Sequence, residues 1–298
     1  MNGSPTTRYR KVKTISGKGA ASDRFAEALR AVAIASDRRL FAAGDSVVKA
    51  FSDEGELLAS WPTSRPGLSV GLAGDGRVFV GQVGQAQMLD SAGKELDTWR
   101  DAERLGAVTA IGFAGEFVLF ADVKDRCIRR YDRSGKFINN IGKDNRMRGF
   151  LVPNGHLDFA VDEQAVIHAA NPGKHRIERY TLDDKLLGHF GRFGGQDPAG
   201  FSGCCNPTNI ALAPGDRIVV TEKAGPQVKI YDSGGKLLAV MGEKDFDPVC
   251  KNMDVAVDAQ GHIYVVDTVR LHVCVFAPEA PAATTQPDDT GAGTPVKP

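Results

Sequence analysis

The sequence predicts an all-β fold, a closed six-bladed β-propeller, on three observations. A strand motif ending in an aromatic residue or Leu recurs six times, with its anchors at Phe51, Leu89, Tyr131, Tyr180, Tyr231 and Phe276, separated by 38, 42, 49, 51 and 45 residues. That spacing is one propeller blade. A pair of alternating apolar strands precedes each anchor. The chain also carries 34 glycines in 298 residues, which suits a fold made of tight hairpins.

The elements follow in order. The first two strands of the successive blades read AVAIASDRRLFAAG, SVGLAGDGRVFVGQ, TAIGFAGEFVLFAD, LDFAVDEQAVIHAAN, TNIALAPGDRIVVTE and MDVAVDAQGHIYVVD. Small and β-branched residues dominate the first strand, as crowding round a central axis requires. The third and fourth strands read VVKAFSDEGELLASW, AQMLDSAGKELDTW, IRRYDRSGKFINNIG, IERYTLDDKLLGHFG and VKIYDSGGKLLAVMG. Asp-Gly, Ser-Gly and Gly-Gly turns between the strands supply the positive φ of tight hairpins. The sixth third strand, HVCVF, has no fourth strand after it. The N-terminal segment RYRKVKTIS alternates Tyr9, Lys11, Lys13 against Arg10, Val12, Thr14. It is predicted to supply that missing strand and close the ring, removing an open sheet edge. The expected organisation is a leader over 1–7, the propeller over 8–277, and a Pro/Thr-rich disordered tail over 278–298, too poor in large apolar residues to offset ordering entropy.

The run MDVAVDAQGHIYVVDTVRLHVCVF resembles the NHL repeat, and the resemblance extends over roughly residues 30–277, more weakly in the first two blades. The segment from FSGCCNP through VKIYDSGGKLLAVMG is similar to bacterial NHL-repeat proteins with a Gly-Cys-Cys-Asn-Pro signature. The resemblance implies the propeller and a binding role, and no defined chemistry. Propeller lyases similar to this fold hold a zinc ion with several histidines on inner strands. Here only His156 stands near such a position, so that activity is not carried over. Calcium lactonase propellers converge Glu, Asn and Asp at the axis. Glu222, Asn171, Asn206 and Asp267 imitate that set and are read instead as loop-stabilising groups.

Composition narrows the classes. Lys+Arg and Asp+Glu both number 37, so the basic excess of a nucleic-acid or membrane-surface binder is missing. A basic stretch from Lys124 to Arg148 is interleaved with Asp122, Asp125, Asp132 and Asp144 and reads as solvated surface. The apolar run Ala107–Ala121 is short and holds Glu116, so no direct membrane insertion is expected. The opening Met-Asn-Gly-Ser-Pro reads as a cloning junction or trimmed linker. The expected location is cytoplasmic, or extracytoplasmic with a leader or anchor removed.

Chemistry concentrates in cysteine. A propeller has one face carrying the blade-to-blade linkers and the second-to-third strand corners, here the linker face. The other hairpins lie on the opposite, hairpin face. Cys204 and Cys205 fall in the linker into blade five, Cys250 in the linker into blade six, and Glu222 and Lys223 in the blade-five corner. His156 and Asp158 occupy the equivalent stretch of blade four, Asp254 that of blade six, and Asn206 follows the cysteine pair. Three readings stand for Cys204, Cys205 and Cys250: a transition-metal or iron–sulfur centre, a disulfide, or buried thiols acting as small hydrophobes. The run is not Cys-x-x-Cys and not a haem attachment site. Cys127 and Cys274 fall within third strands and read as structural. The expected function is a non-catalytic binding platform that docks another protein through the face carrying Cys204, Cys205 and Cys250, with Asn206, Glu222, Lys223 and His156 around them. The alternative is a metal-binding, thiol-redox or electron-transfer component, or an enzyme, using the same cysteines.

Overall fold

The computed structural model describes residues 8–143, 149–223 and 225–279. The predicted leader 1–7 and residues 280–298 of the tail predicted over 278–298 lie outside the described residues, whereas Pro278 belongs to a strand, opposite Tyr9, and the Glu279 amide donates to Arg8 O. Strand β1 (Tyr9–Ser16) comes first. Blade one is β2 (Leu29–Ile34), β3 (Leu40–Gly44), β4 (Val47–Phe51) and β5 (Leu57–Pro62); blade two is β6 (Ser69–Leu72), β7 (Val78–Gln82), β8 (Gln85–Leu89) and β9 (Glu95–Arg100). Blade three is β10 (Val108–Ala114), β11 (Phe117–Asp122), β12 (Cys127–Asp132) and β13 (Phe137–Ile141); blade four is β14 (Phe159–Val161), β15 (Ile167–Asn171), β16 (Arg176–Tyr180) and β17 (Leu186–Phe190). Blade five is β18 (Asn209–Ala213), β19 (Arg217–Glu222), β20 (Gln227–Tyr231) and β21 (Leu237–Met241); blade six is β22 (Val255–Val257), β23 (Ile263–Asp267) and β24 (His272–Pro278). The helix content of the described residues is one 3₁₀ turn, Pro172–Lys174. No helix among them is long and apolar enough to cross a membrane.

Blade six is completed from the other end of the chain. β1 pairs antiparallel with β24, from Tyr9 opposite Pro278 to Ser16 opposite His272, with a bulge between Lys11 and Lys13. The sheet order is therefore β1-β24-β23-β22. The alternation read in the sequence resolves with Tyr9, Lys11, Lys13 and Ile15 turned toward the protein and Val12 exposed.

The hairpin face is built by one repeated device. The residue after each of the first five anchors is Ser52, Asp90, Asp132, Thr181 or Asp232, and its side-chain oxygen accepts the amide four residues on, at 2.8–3.2 Å. These are Asx and ST turns, in which a short polar side chain stands in for a backbone acceptor. Three residues after that residue, four of the five turns place Gly at positive φ, and in blade four Asp184 takes that conformation at φ 67°. Gly93 shows why the residue is small: a Cβ there would lie 2.1 Å from the Trp61 ring of blade one.

The core lies between blades rather than at a single centre. Each of the six gaps is filled by its own cluster of buried apolar side chains. The six anchors are all 2% exposed or less. Burial of such side chains is worth about 1.5–3 kcal/mol each.

Candidate functional site

The blade-five corner is assembled by Asn206, which is fully buried. Its amide nitrogen donates to Ser202 O at 2.7 Å, and its Oδ1 accepts the Lys223 backbone amide at 2.9 Å. One side chain thus ties both ends of the cysteine loop to the β19–β20 corner. Cys204 is exposed and Cys205 buried, both as free thiols, with their sulfurs 3.0 Å apart. The hydrogen bond from Cys205 and the positive charge of Lys223 hold the Cys204 thiol below its usual value. Burial pushes Cys205 the other way, reinforced by the sulfur beside it. The corner therefore pairs an accessible thiolate-prone sulfur with a sheltered thiol.

The other predicted site residues separate from this pair. Cys250 is fully buried in the gap between blades five and six, and its Sγ donates to Asp267 Oδ1 at 3.0 Å. Burial, with that carboxylate, raises its thiol to about 11. Among the described residues, no group of three or more His, Cys, Asp or Glu side chains is arranged to hold a metal ion. Cys127 and Cys274 are buried and raised by burial to about 12 and about 11.

Glu222 belongs to a framework repeated from blade to blade. The last residue of the second strand is Gln82, Asp122, Asn171, Glu222 or Asp267 in blades two to six, all buried. Each is tied to the linker arriving from the previous blade. Asp122 accepts the Gly106 amide, Asn171 that of Leu151, and Asp267 that of Asp247. Gln82 donates to Arg65 O. Glu222 acts through Lys229, whose ammonium donates to Glu222 Oε1 at 2.9 Å and to Gly200 O at 2.6 Å. Gln227 also donates to Glu222, at 2.6 Å. Through these bonds Asn171, Glu222 and Asp267 fasten linkers to the second strands. Of the basic stretch of blade three, positions 144–148 lie outside the described residues, and three of the arginines before them are paired with carboxylates. Arg129 is 1% exposed and pairs with Asp122 and Asp125, while Arg130 pairs with Asp183 and Arg133 with Glu116.

His156 belongs to a second constellation, at the axis. The side-chain amide of Asn209, at the start of β18, donates to Asp254 Oδ1 at 3.2 Å and meets His156 Nε2 at 2.8 Å. Asp158 Oδ2 accepts the Ile210 amide at 2.9 Å, joining blade four to blade five. Burial lowers His156 to about 4 and raises Asp254 to about 6. Burial, and then the charge of Asp254, raises Asp158. A neutral imidazole therefore sits beside two carboxyls that resist joint ionisation. Above this cluster a funnel of about 480 Å³ opens among the linkers, lined by Arg30, Thr109, His156, Lys251, Asn252 and Thr268 among others. Asn209 carried no signal in the sequence, since a lone Asn at a strand start has no spacing relation to the residues it meets.

Fold and site together define the class of protein: a six-bladed β-propeller with a vicinal thiol corner on its linker face. No protein-family profile and no curated protein matches the chain. Solved structures share the fold. A protein of unknown function from Bacteroides thetaiotaomicron superposes with a TM-score of 0.68 at 11% identity, covering 92% of this chain and 76% of its own. The WD40 propeller domain of Doa1 gives 0.62 at 15% identity, over 91% and 97%. A catalytically inactive virginiamycin B lyase from Staphylococcus aureus, with quinupristin, gives 0.62 at 9% identity, over 91% and 99%. At these identities the likeness is one of fold.

Proposed function

We propose that this chain is an NHL-type binding propeller that docks another protein on its linker face, around the corner formed by Cys204, Cys205, Asn206 and Lys223. The observation that carries the reading is the distribution of exposed apolar side chains. Among the described residues, the large ones that stand exposed fall either on outer strands or on linker-face loops, the latter being Val83, Phe193, Val249 and Val269. The hairpin-face turns expose none of them. Phe193 and Val249, 62% and 66% exposed, sit on the linkers into blades five and six, the same two linkers that hold Cys204 and Cys250. Apolar groups displayed on one face of a propeller, with polar side chains between them, fit a protein partner.

The test is photo-crosslinking in extract of the native cell, with the probe attached at Cys204. A partner should be captured from Cys204, lost in the Phe193→Ser/Val249→Ser chain, and absent when the probe is placed on the hairpin face in a Cys204→Ser/Ser233→Cys chain. Equal capture from both faces, or capture indifferent to Phe193 and Val249, would overturn the reading. A second reading, thiol chemistry at the same corner, is favoured by the 3.0 Å separation of the two sulfurs.

A further inference from the structure

We infer that Cys204 and Cys205 form an oxidant-responsive modification site that reacts with hydroperoxides, Cys204 as the attacking sulfur and Cys205 as the resolving one. The roles follow from placement. Cys204 is exposed, Cys205 is buried, and their sulfurs are 3.0 Å apart. Lys223 acts electrostatically on both. An accessible, thiolate-prone cysteine beside a sheltered partner thiol is the arrangement that makes sulfenic acid formation selective and reversible. The three other cysteines are buried, and Cys250 is engaged with Asp267, so they compete poorly for the oxidant.

The chemistry balances in two steps. The Cys204 thiolate attacks the outer oxygen of the hydroperoxide. A sulfur–oxygen bond forms, the oxygen–oxygen bond breaks, and the departing alkoxide or hydroxide takes a proton to leave as alcohol or water. Cys204 is now a sulfenic acid. The Cys205 sulfur then attacks the Cys204 sulfur, a sulfur–sulfur bond forms, and the hydroxyl leaves with the Cys205 proton as water. The two thiols have supplied two electrons and the hydroperoxide has accepted them. Asn206 keeps the loop anchored to the Lys223 amide throughout, so the change is confined to the exposed edge of the corner. The inference stands on the sulfur pair alone, and its failure leaves the proposed docking face untouched.

The experiment exposes the reduced full chain to hydrogen peroxide, blocks remaining thiols after unfolding, and maps the products by mass spectrometry. The expected product is a Cys204–Cys205 bond within one peptide, lighter by two hydrogens and restored by dithiothreitol, with Cys127, Cys250 and Cys274 recovered as thiols. In the Cys205→Ser chain a sulfenic acid should accumulate at Cys204 and be trapped by dimedone. Lys223→Gln, which keeps the backbone amide that Asn206 holds, should slow oxidation roughly two- to fivefold. Oxidation that begins at the buried cysteines, over-oxidation of Cys204 with no bond to Cys205, or no trapped sulfenic acid in Cys205→Ser would each overturn the inference. The wild-type mapping needs no variant, so a folding defect cannot mask the outcome.

Discussion

Asp254 of blade six accepts the backbone amide of Val32 of blade one at 2.8 Å. The bond spans the junction where the ring must close, on the axial side, while β1 closes the same blade at the rim. Asp158 makes the corresponding link from blade four to Ile210 of blade five at 2.9 Å. Asp158 is buried and Asp254 half-buried, and both resist ionisation, whereas His156 beside them resists protonation.

This sets opposing pH dependences. Asp254 is raised from about 3.9 in the unfolded chain to about 6 in the fold. The folded state therefore holds the extra proton between those values, and this contribution is present at low pH and lost as pH rises toward 6. His156 falls from about 6.5 unfolded to about 4 folded, so its contribution is present at neutral pH and lost as pH falls. Asp158 is raised in the same direction as Asp254, so in the wild type two carboxyls act against one histidine between pH 4 and 6 and stability should fall with rising pH. Asp254→Asn removes one of those carboxyls, and the profile should be flatter than that of the wild type across that window. His156→Gln leaves both carboxyls unopposed, and stability should fall more steeply. Each group removed changes the slope by up to about 1.4 kcal/mol per pH unit. Urea unfolding of the three chains at several pH values is the measurement; parallel pH profiles would refute the assignment.

Glu222 and Lys229 form a pair buried on both sides, 0% and 2% exposed. Lys229→Met strips the carboxylate of its cation and should cost about 3–5 kcal/mol, whereas Glu222→Gln with Lys229→Met should recover much of that loss. A structural pair gives this non-additivity in urea unfolding. If Glu222→Gln alone were neutral, the carboxylate would not be serving the fold.

Two glycines at positive φ separate packing from backbone preference. A Cβ at Gly93 meets the Trp61 ring, while one at Gly115 meets nothing within 4 Å. Gly115→Ala should cost about 1 kcal/mol from φ alone. Gly93→Ala adds overpacking of about 1–3 kcal/mol. Thermal melts should rank them in that order, and equal losses would mean that the ring simply yields.

The blades were legible because their chemistry repeats. An aromatic or Leu anchor, a polar turn residue after it and a Gly three further on recur at near-constant spacing, and the turn survives in blade four where Asp184 replaces the glycine. The cysteine corner was legible in part. Asn206 and Lys223 lie beside Cys204 and Cys205 as the topology implies. Cys250 shares their face by sequence position, but its linker folds inward with Phe246 and Met253 and buries the thiol. The axial cluster was the least legible. His156, Asn209 and Asp254 come from three blades at unequal offsets from their strands, and only the ring geometry brings them together.

The clasp yields the last prediction. Ile15 of β1 is 2% exposed and packs with Phe25, Leu29, Phe51 and Val273 among others, so it belongs to the core between blades six and one. The strand also covers the outer edge of β24, pairing Thr14 with Cys274 and Ile15 with Val273, and Ser16 Oγ donates to Asp23 O at 2.6 Å to lead the chain into blade one. Removing residues 1–16 would take both the apolar plug and the edge cover, leaving β24 as an open strand that invites pairing between molecules. Ile15→Ala isolates the plug and should cost about 2–5 kcal/mol. Val12, on the same strand but exposed, is the control: Val12→Thr should stay within about 0.5 kcal/mol. Urea unfolding gives the two losses, and light scattering reports whether the truncated chain associates with rising concentration. If Ile15→Ala were as mild as Val12→Thr and the truncated chain stayed monomeric with an unchanged melting temperature, β1 would not be closing the ring.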